Sequence, residues 1–240
     1  MLNNIKSIKI LNIIVGALKK RIELKLFKYN KKMINKLNIE KEDFEQFTVL
    51  KEMNLKFNLD IKDIEIKELN LENKNLGNDI LEYLTKIKFN KLKVLNLRNN
   101  NISDIKGLEN AKFAKLEKLN LKENKIRDID ILEKVNFKEL TGLYLYKNDI
   151  SDIKVLEKVK FEKLEILDLS NNKISDINIL EKVNFKELKK LYLRYNKISD
   201  IKVLEKVEFA KLEKLNLEEN ENDLKQNEFI ISKIGDILII

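Results

Sequence analysis

From Phe89 onward the apolar and polar positions of the chain recur every 24 residues: "FNKLKVLNLRNNNISDIKGLENAK", "FAKLEKLNLKENKIRDIDILEKVN", "FKELTGLYLYKNDISDIKVLEKVK", "FEKLEILDLSNNKISDINILEKVN" and "FKELKKLYLRYNKISDIKVLEKVE". A sixth block begins at Phe209 with "FAKLEKLNLEEN" and then departs from the pattern. Leu97, Leu121, Leu145, Leu169, Leu193 and Leu217 form one column; Asn100, Asn124, Asn148, Asn172, Asn196 and Asn220 form another. Within each block Leu-x-Leu alternates with period 2, which predicts a short strand with both leucines on one face and the residue between them on the other. The Asn that follows sits where the chain must turn away, and a buried Asn there can satisfy backbone N–H and C=O groups left without partners. In "SDIKVLEKV" (151–159) a Ser/Asp start precedes Ile153, Leu156 and Val159 at three-residue steps, which predicts a short helix opposite the strand.

These columns resemble the leucine-rich repeat family, whose signature L-x-x-L-x-L-x-x-N-x-L stands here as "LEILDLSNNKI" (164–174). The resemblance covers roughly 66–220, and the period falls within the family's range. It implies an α/β solenoid: a right-handed horseshoe or arc with a parallel sheet on the concave side, short helices on the convex side and a helical N-terminal cap. It also implies protein binding through the concave face.

One coil cannot bury its leucines alone, so both ends of such a stack need covers. Three regions follow: a helical N-terminal cap region over 1–58, leucine-rich repeats over 59–220, and a C-terminal cap over 221–240 containing "FIISKIGDILII". The first repeat, 66–88, is degenerate: Ile66, Leu69 and Leu71 match the leucine frame, and Leu92 follows Ile66 by 26 residues rather than 24. Near the N-terminus Ile5, Ile8, Leu11, Leu18, Ile22 and Leu26 recur at helical steps past Val15-Gly16-Ala17, so a retained helix is favoured there over a cleaved signal peptide.

Charge changes the picture only at the front. The net charge is +8, but 1–36 carry ten Lys/Arg against Glu23, and the remainder holds 38 basic against 39 acidic residues. The basic segment includes Lys19, Lys20, Arg21, Lys25, Lys28, Lys31 and Lys32. It admits contact with an anionic membrane surface or nucleic acid. With only Phe27 and Tyr29 as aromatics there, base stacking has little support and no nucleic-acid partner is expected. The same segment faintly resembles an F-box, without that motif's Leu-Pro and Trp, which keeps an adaptor reading open. A cap with a solvated lysine face is favoured over both.

The sequence has no Cys, His, Pro or Trp. Thiol nucleophiles, histidine bases and the familiar zinc sites are thereby excluded, and the absence of Cys fits a reducing, cytoplasmic location better than a secreted or cell-surface one. The column Asp104, Asp128, Asp152, Asp176 and Asp200 raises the idea of stacked calcium sites; without glycine-rich turns beside it, the expected role is at helix starts. Glu–Lys columns such as Glu133-Lys134 and Glu157-Lys158 read as a solvated convex face. No phosphate loop and no nucleophile elbow occurs, so no catalytic residue, metal or cofactor is assigned.

Chemistry instead concentrates at the variable positions around Leu-x-Leu. Four of six tyrosines fall in two repeats, with a repeat of smaller side chains between them. Tyr144, Tyr146 and Lys147, then Asp168 and Ser170, then Tyr192, Arg194 and Tyr195 are the candidate partner-binding positions of the concave face. Asp168 and Ser170 would floor a shallow trough with tyrosine walls and Arg194 at one side. Tyr and Arg are over-represented at binding hot spots. A non-enzymatic protein-binding scaffold is the resulting expectation.

Overall fold

The structure, a computed structural model, describes residues 41–207, 210–221 and 238–239. The basic segment before Lys41, with its F-box-like stretch and the would-be signal peptide, lies outside the described residues, as does most of the proposed C-terminal cap.

Eight parallel strands lie side by side in chain order: β1 (Glu68–Asn70), β2 (Val94–Asn96), β3 (Lys118–Asn120), β4 (Gly142–Tyr144), β5 (Ile166–Asp168), β6 (Lys190–Tyr192), β7 (Lys214–Asn216) and the two-residue β8 (Leu238–Ile239). The register follows the columns. Leu95, Leu119, Leu143, Leu167, Leu191 and Leu215 pair across successive strands, each a full coil apart. Between β1 and β2 the pairing is Leu69 with Leu95, the 26-residue step anticipated for the first repeat. Inward-facing leucines, the following isoleucines (Ile102, Ile126, Ile150, Ile174, Ile198) and a row of phenylalanines fill one continuous core. Phe113 lies 6.3 Å from both Phe89 and Phe137, centroid to centroid. β8 adds the strand pairing Leu238 with Leu215, so the end of the chain covers part of the last coil's edge. This is a leucine-rich-repeat solenoid.

The asparagine column is the solenoid's polar spine. Asn148 Nδ2 donates to the carbonyls of Leu121 and Leu145 at 3.0 Å, and its Oδ1 accepts the Ile126 N–H at 3.0 Å. Asn172 and Asn196 repeat these bonds one and two coils on. Each side chain therefore holds its own coil to the one before it, through backbone groups that the strands leave unpaired.

On the convex side the expected short helix is a 3-10 turn of four or five residues in each regular repeat, as at Lys154–Glu157. The reason was present in the spacing. Three-residue steps are the period of a 3-10 helix, which eclipses i and i+3, whereas an α-helix needs steps of three and four. Among the described residues of the repeats, only the first, with its two extra residues, carries an α-helix, α2 (Asp79–Lys86), preceded in the chain by α1 (Lys41–Phe57). Each ladder aspartate closes the start of its turn: Asp104, Asp128 and Asp152 Oδ1 accept the N–H two residues on at 2.8 Å, and Asp176 and Asp200 do so at 2.9 Å. The Glu–Lys columns pair between coils, Lys158 with Glu133 at 3.4 Å and Lys206 with Glu181 at 3.7 Å, as exposed ion pairs worth little each.

The described part of the N-terminal region packs against the first repeat. α1 packs on α2, and Leu50 and Met53 join the same core as the repeats. Buried Gln46 accepts the Lys88 N–H at 2.9 Å, and Asn54 exchanges two hydrogen bonds with the backbone of Ile61. Lys56 pairs with Asp79 at 2.7 Å beside the edge-to-face rings of Phe57 and Tyr83.

Candidate functional site

The outward face of the sheet is built from the first and third residue of each strand and the residue two beyond it. Its three parts differ. At the N-terminal end the polar groups are consumed by one another: Asn96 donates to Asn70 and Glu72, and Arg98 reaches Glu72 at 3.2 Å and Glu123 at 2.6 Å. At the far end the Arg194 guanidinium stands 4.7 Å over the Tyr195 ring, with Nε 3.9 Å from Glu218.

Between them lies the tyrosine-rich centre. Tyr144, Asp168 and Tyr192 are register partners on β4, β5 and β6, so a carboxylate stands between two tyrosines. Asp168 and Ser170 form the floor: the Asp168 side chain is 11% exposed and Ser170 is 2% exposed. Asp168 Oδ1 accepts the Ser170 N–H at 3.2 Å. The ring of Tyr144 lies back over Gly142, where an added Cβ would come within 2.9 Å of it; β4 carries glycine at a position where β3 and β6 have lysine. Burial first, then the Asp168 charge and Tyr192, raise the Tyr144 phenol above its usual value.

One participant was not among the predicted positions. Lys122, two residues beyond β3, reaches past β4 and places Nζ 2.8 Å from Asp168 Oδ2, 5.0 Å from the centre of the Tyr144 ring and 5.7 Å from that of Tyr146. Its column, shared with Tyr146, Ser170 and Arg194, was legible; its reach across two strands was not. Lys214 similarly approaches the Tyr192 ring at 5.6 Å.

Lys147 and Tyr195 have a different constraint. Each precedes a ladder asparagine, and every residue in that column turns through the left-handed region: Asn99, Glu123, Lys147, Asn171, Tyr195 and Glu219 have φ between 52° and 56°. Asn accepts that conformation readily, whereas a bulky residue does so at a cost. Tyr195 is also 43% exposed. Tyr195→Asn is expected to raise stability by about 1 kcal/mol, a shift of about 2–4 °C in a chain of this size, measurable by thermal melting.

Comparisons with known proteins agree with this geometry. The family model for leucine-rich repeats, in two copies, matches residues 90–134 and 138–182. An internalin of Listeria monocytogenes, inlF, superposes with a TM-score of 0.50 at 28% identity over 65% of this chain; the match spans 42% of that chain's length. Internalin C2 of the same organism superposes with a TM-score of 0.53 at 22% identity, covering 80% of this chain and 90% of that one. No curated protein matches the sequence. With the matched repeats continued in register by the flanking coils, the chain is a leucine-rich repeat protein.

Proposed function

We propose that the protein is a non-enzymatic protein-binding scaffold whose concave face, centred on β4 to β6, makes the contact. The observation that carries this reading is the contrast among the columns. Leucine, isoleucine, phenylalanine and asparagine columns are spent on the core and the spine, and aspartates on the convex turns. The concave centre departs from its neighbours, with tyrosines where other strands carry asparagine, and it is flanked at the far end by a strained Tyr195 beside Arg194. Side chains with large area and a polar end, kept where the fold does not need them, fit a recognition surface.

The test is Tyr146→Ala combined with Tyr192→Ala. Binding to a protein partner captured with the intact chain should weaken by about 2 kcal/mol or more in a calorimetric titration, while the melting temperature stays close to wild type. Equal affinity of wild type and double variant would overturn the reading.

A further inference from the structure

We propose that the trough formed by Tyr144, Asp168 and Tyr192 is a receptor for one cationic side chain, a lysine or arginine, of the protein partner, and that Lys122 fills it until that partner arrives. This inference rests on the concave-face reading and assigns the chemistry of its centre.

The site is built for positive charge. A carboxylate that is nearly buried stands between two tyrosines, and the faces of aromatic rings carry the negative part of their quadrupole. The chain's own ammonium shows the fit: Nζ of Lys122 sits against Asp168 and over Tyr144 and Tyr146 at the distances given above. An anion entering the same place would meet the Asp168 charge and the ring faces, both unfavourable.

Lys122 is a replaceable occupant. It crosses about 10 Å, two inter-strand spacings, to reach Asp168. Its side chain is 29% exposed and recovers rotamer freedom on release. Asp168, by contrast, is held in the middle of the sheet with Oδ1 bonded to the Ser170 N–H. Once Lys122 leaves, a shielded carboxylate lacks its counter-charge, an arrangement that demands another cation. An arginine would answer it well, since its planar fork matches a carboxylate and stacks on rings. Occupation by Lys122 lowers the apparent affinity for any incoming cation, because only the fraction of molecules with the trough open can bind it.

The test titrates the full chain with Nα-acetyl-lysine methylamide and follows backbone and tyrosine resonances by NMR. Lys122→Met should bind the probe, with shifts centred on Tyr144, Tyr146, Asp168 and Tyr192, and wild type should bind about fivefold more weakly or less. Adding Asp168→Asn should abolish binding, and the uncharged norleucine analogue should not bind. Lys122→Gln supports the same comparison if Lys122→Met fails to fold. Equal binding by wild type and the Lys122 variant, equal binding of the norleucine analogue, or preferential binding of inorganic phosphate would each overturn the proposal. A silent titration combined with loss of partner binding in the Tyr146/Tyr192 double variant would remove the cation receptor and leave the concave-face reading standing.

Discussion

Deleting residues 1–58 is expected to leave a chain that aggregates or unfolds without a cooperative transition. α1 contributes Phe47, Leu50 and Met53 as buried side chains, and fully burying one such residue is worth roughly 1.5–3 kcal/mol. Removing them exposes the apolar edge of the first coil and the face of α2 that α1 covers. The deletion also takes away Gln46, leaving the Lys88 N–H without its acceptor, and Asn54, leaving both backbone groups of Ile61 unpaired. The combined loss, of the order of 5 kcal/mol, is comparable to the whole stability of many domains. Size-exclusion chromatography and a urea melt check this: a monomeric truncated chain with an unchanged midpoint would make the region an appended module instead of a cap.

Asn148→Ala should damage the repeats strongly. It leaves the Ile126 N–H without its acceptor and takes one of two amide donors from the carbonyls of Leu121 and Leu145, which keep Asn124 and Asn172 respectively, inside a site where the asparagine is 8% exposed. The buried N–H left unsatisfied costs about 1–3 kcal/mol and each carbonyl loses one of its two donors, so a loss of about 2–4 kcal/mol and a fall of about 8 °C in melting temperature are expected. Asn148→Asp separates bonding from shape. It preserves the volume and the acceptor for Ile126 but replaces the amide donor with an oxygen facing two carbonyls. It should destabilise about as much as alanine at neutral pH. A near-neutral Asn148→Asp would show that packing, not hydrogen bonding, makes the column matter. The two coils joined by Asn148 are central, so the damage should spread through the solenoid instead of fraying one end.

Much of this architecture was legible because a solenoid repeats its local physics. A 24-residue step fixes strand register when each strand has the same apolar inward position, and the leucine pairings follow it without exception from β2 to β7. The 26-residue step at the first repeat was equally readable and reappears as the Leu69–Leu95 pairing. The convex element was located as a short helix without a type, and the structure makes it a 3-10 turn in keeping with its three-residue steps.

The candidate centre was legible only in part. Column positions brought Tyr144, Asp168, Ser170 and Tyr192 together on paper, and the register places the tyrosines on either side of Asp168. What column position cannot express is reach. Lys122 belongs to an earlier coil, and only its long side chain brings it to Asp168. Nor could it show that Gly142 makes room for the Tyr144 ring, or that Lys147 and Tyr195 occupy a turn with positive φ. The asparagines at positions 99 and 171 of that column were a signal for the turn, obscured by Glu123, Lys147 and Tyr195.

Hydroxyl-radical footprinting of the tyrosines, with and without the captured protein partner, tests the central claim most directly. The account predicts that Tyr146, Tyr192 and Tyr195 lose reactivity in the complex while Tyr83, beside α1, keeps its own. Protection of Tyr83 or of the convex turns, with the concave tyrosines as reactive as in the free chain, would contradict it.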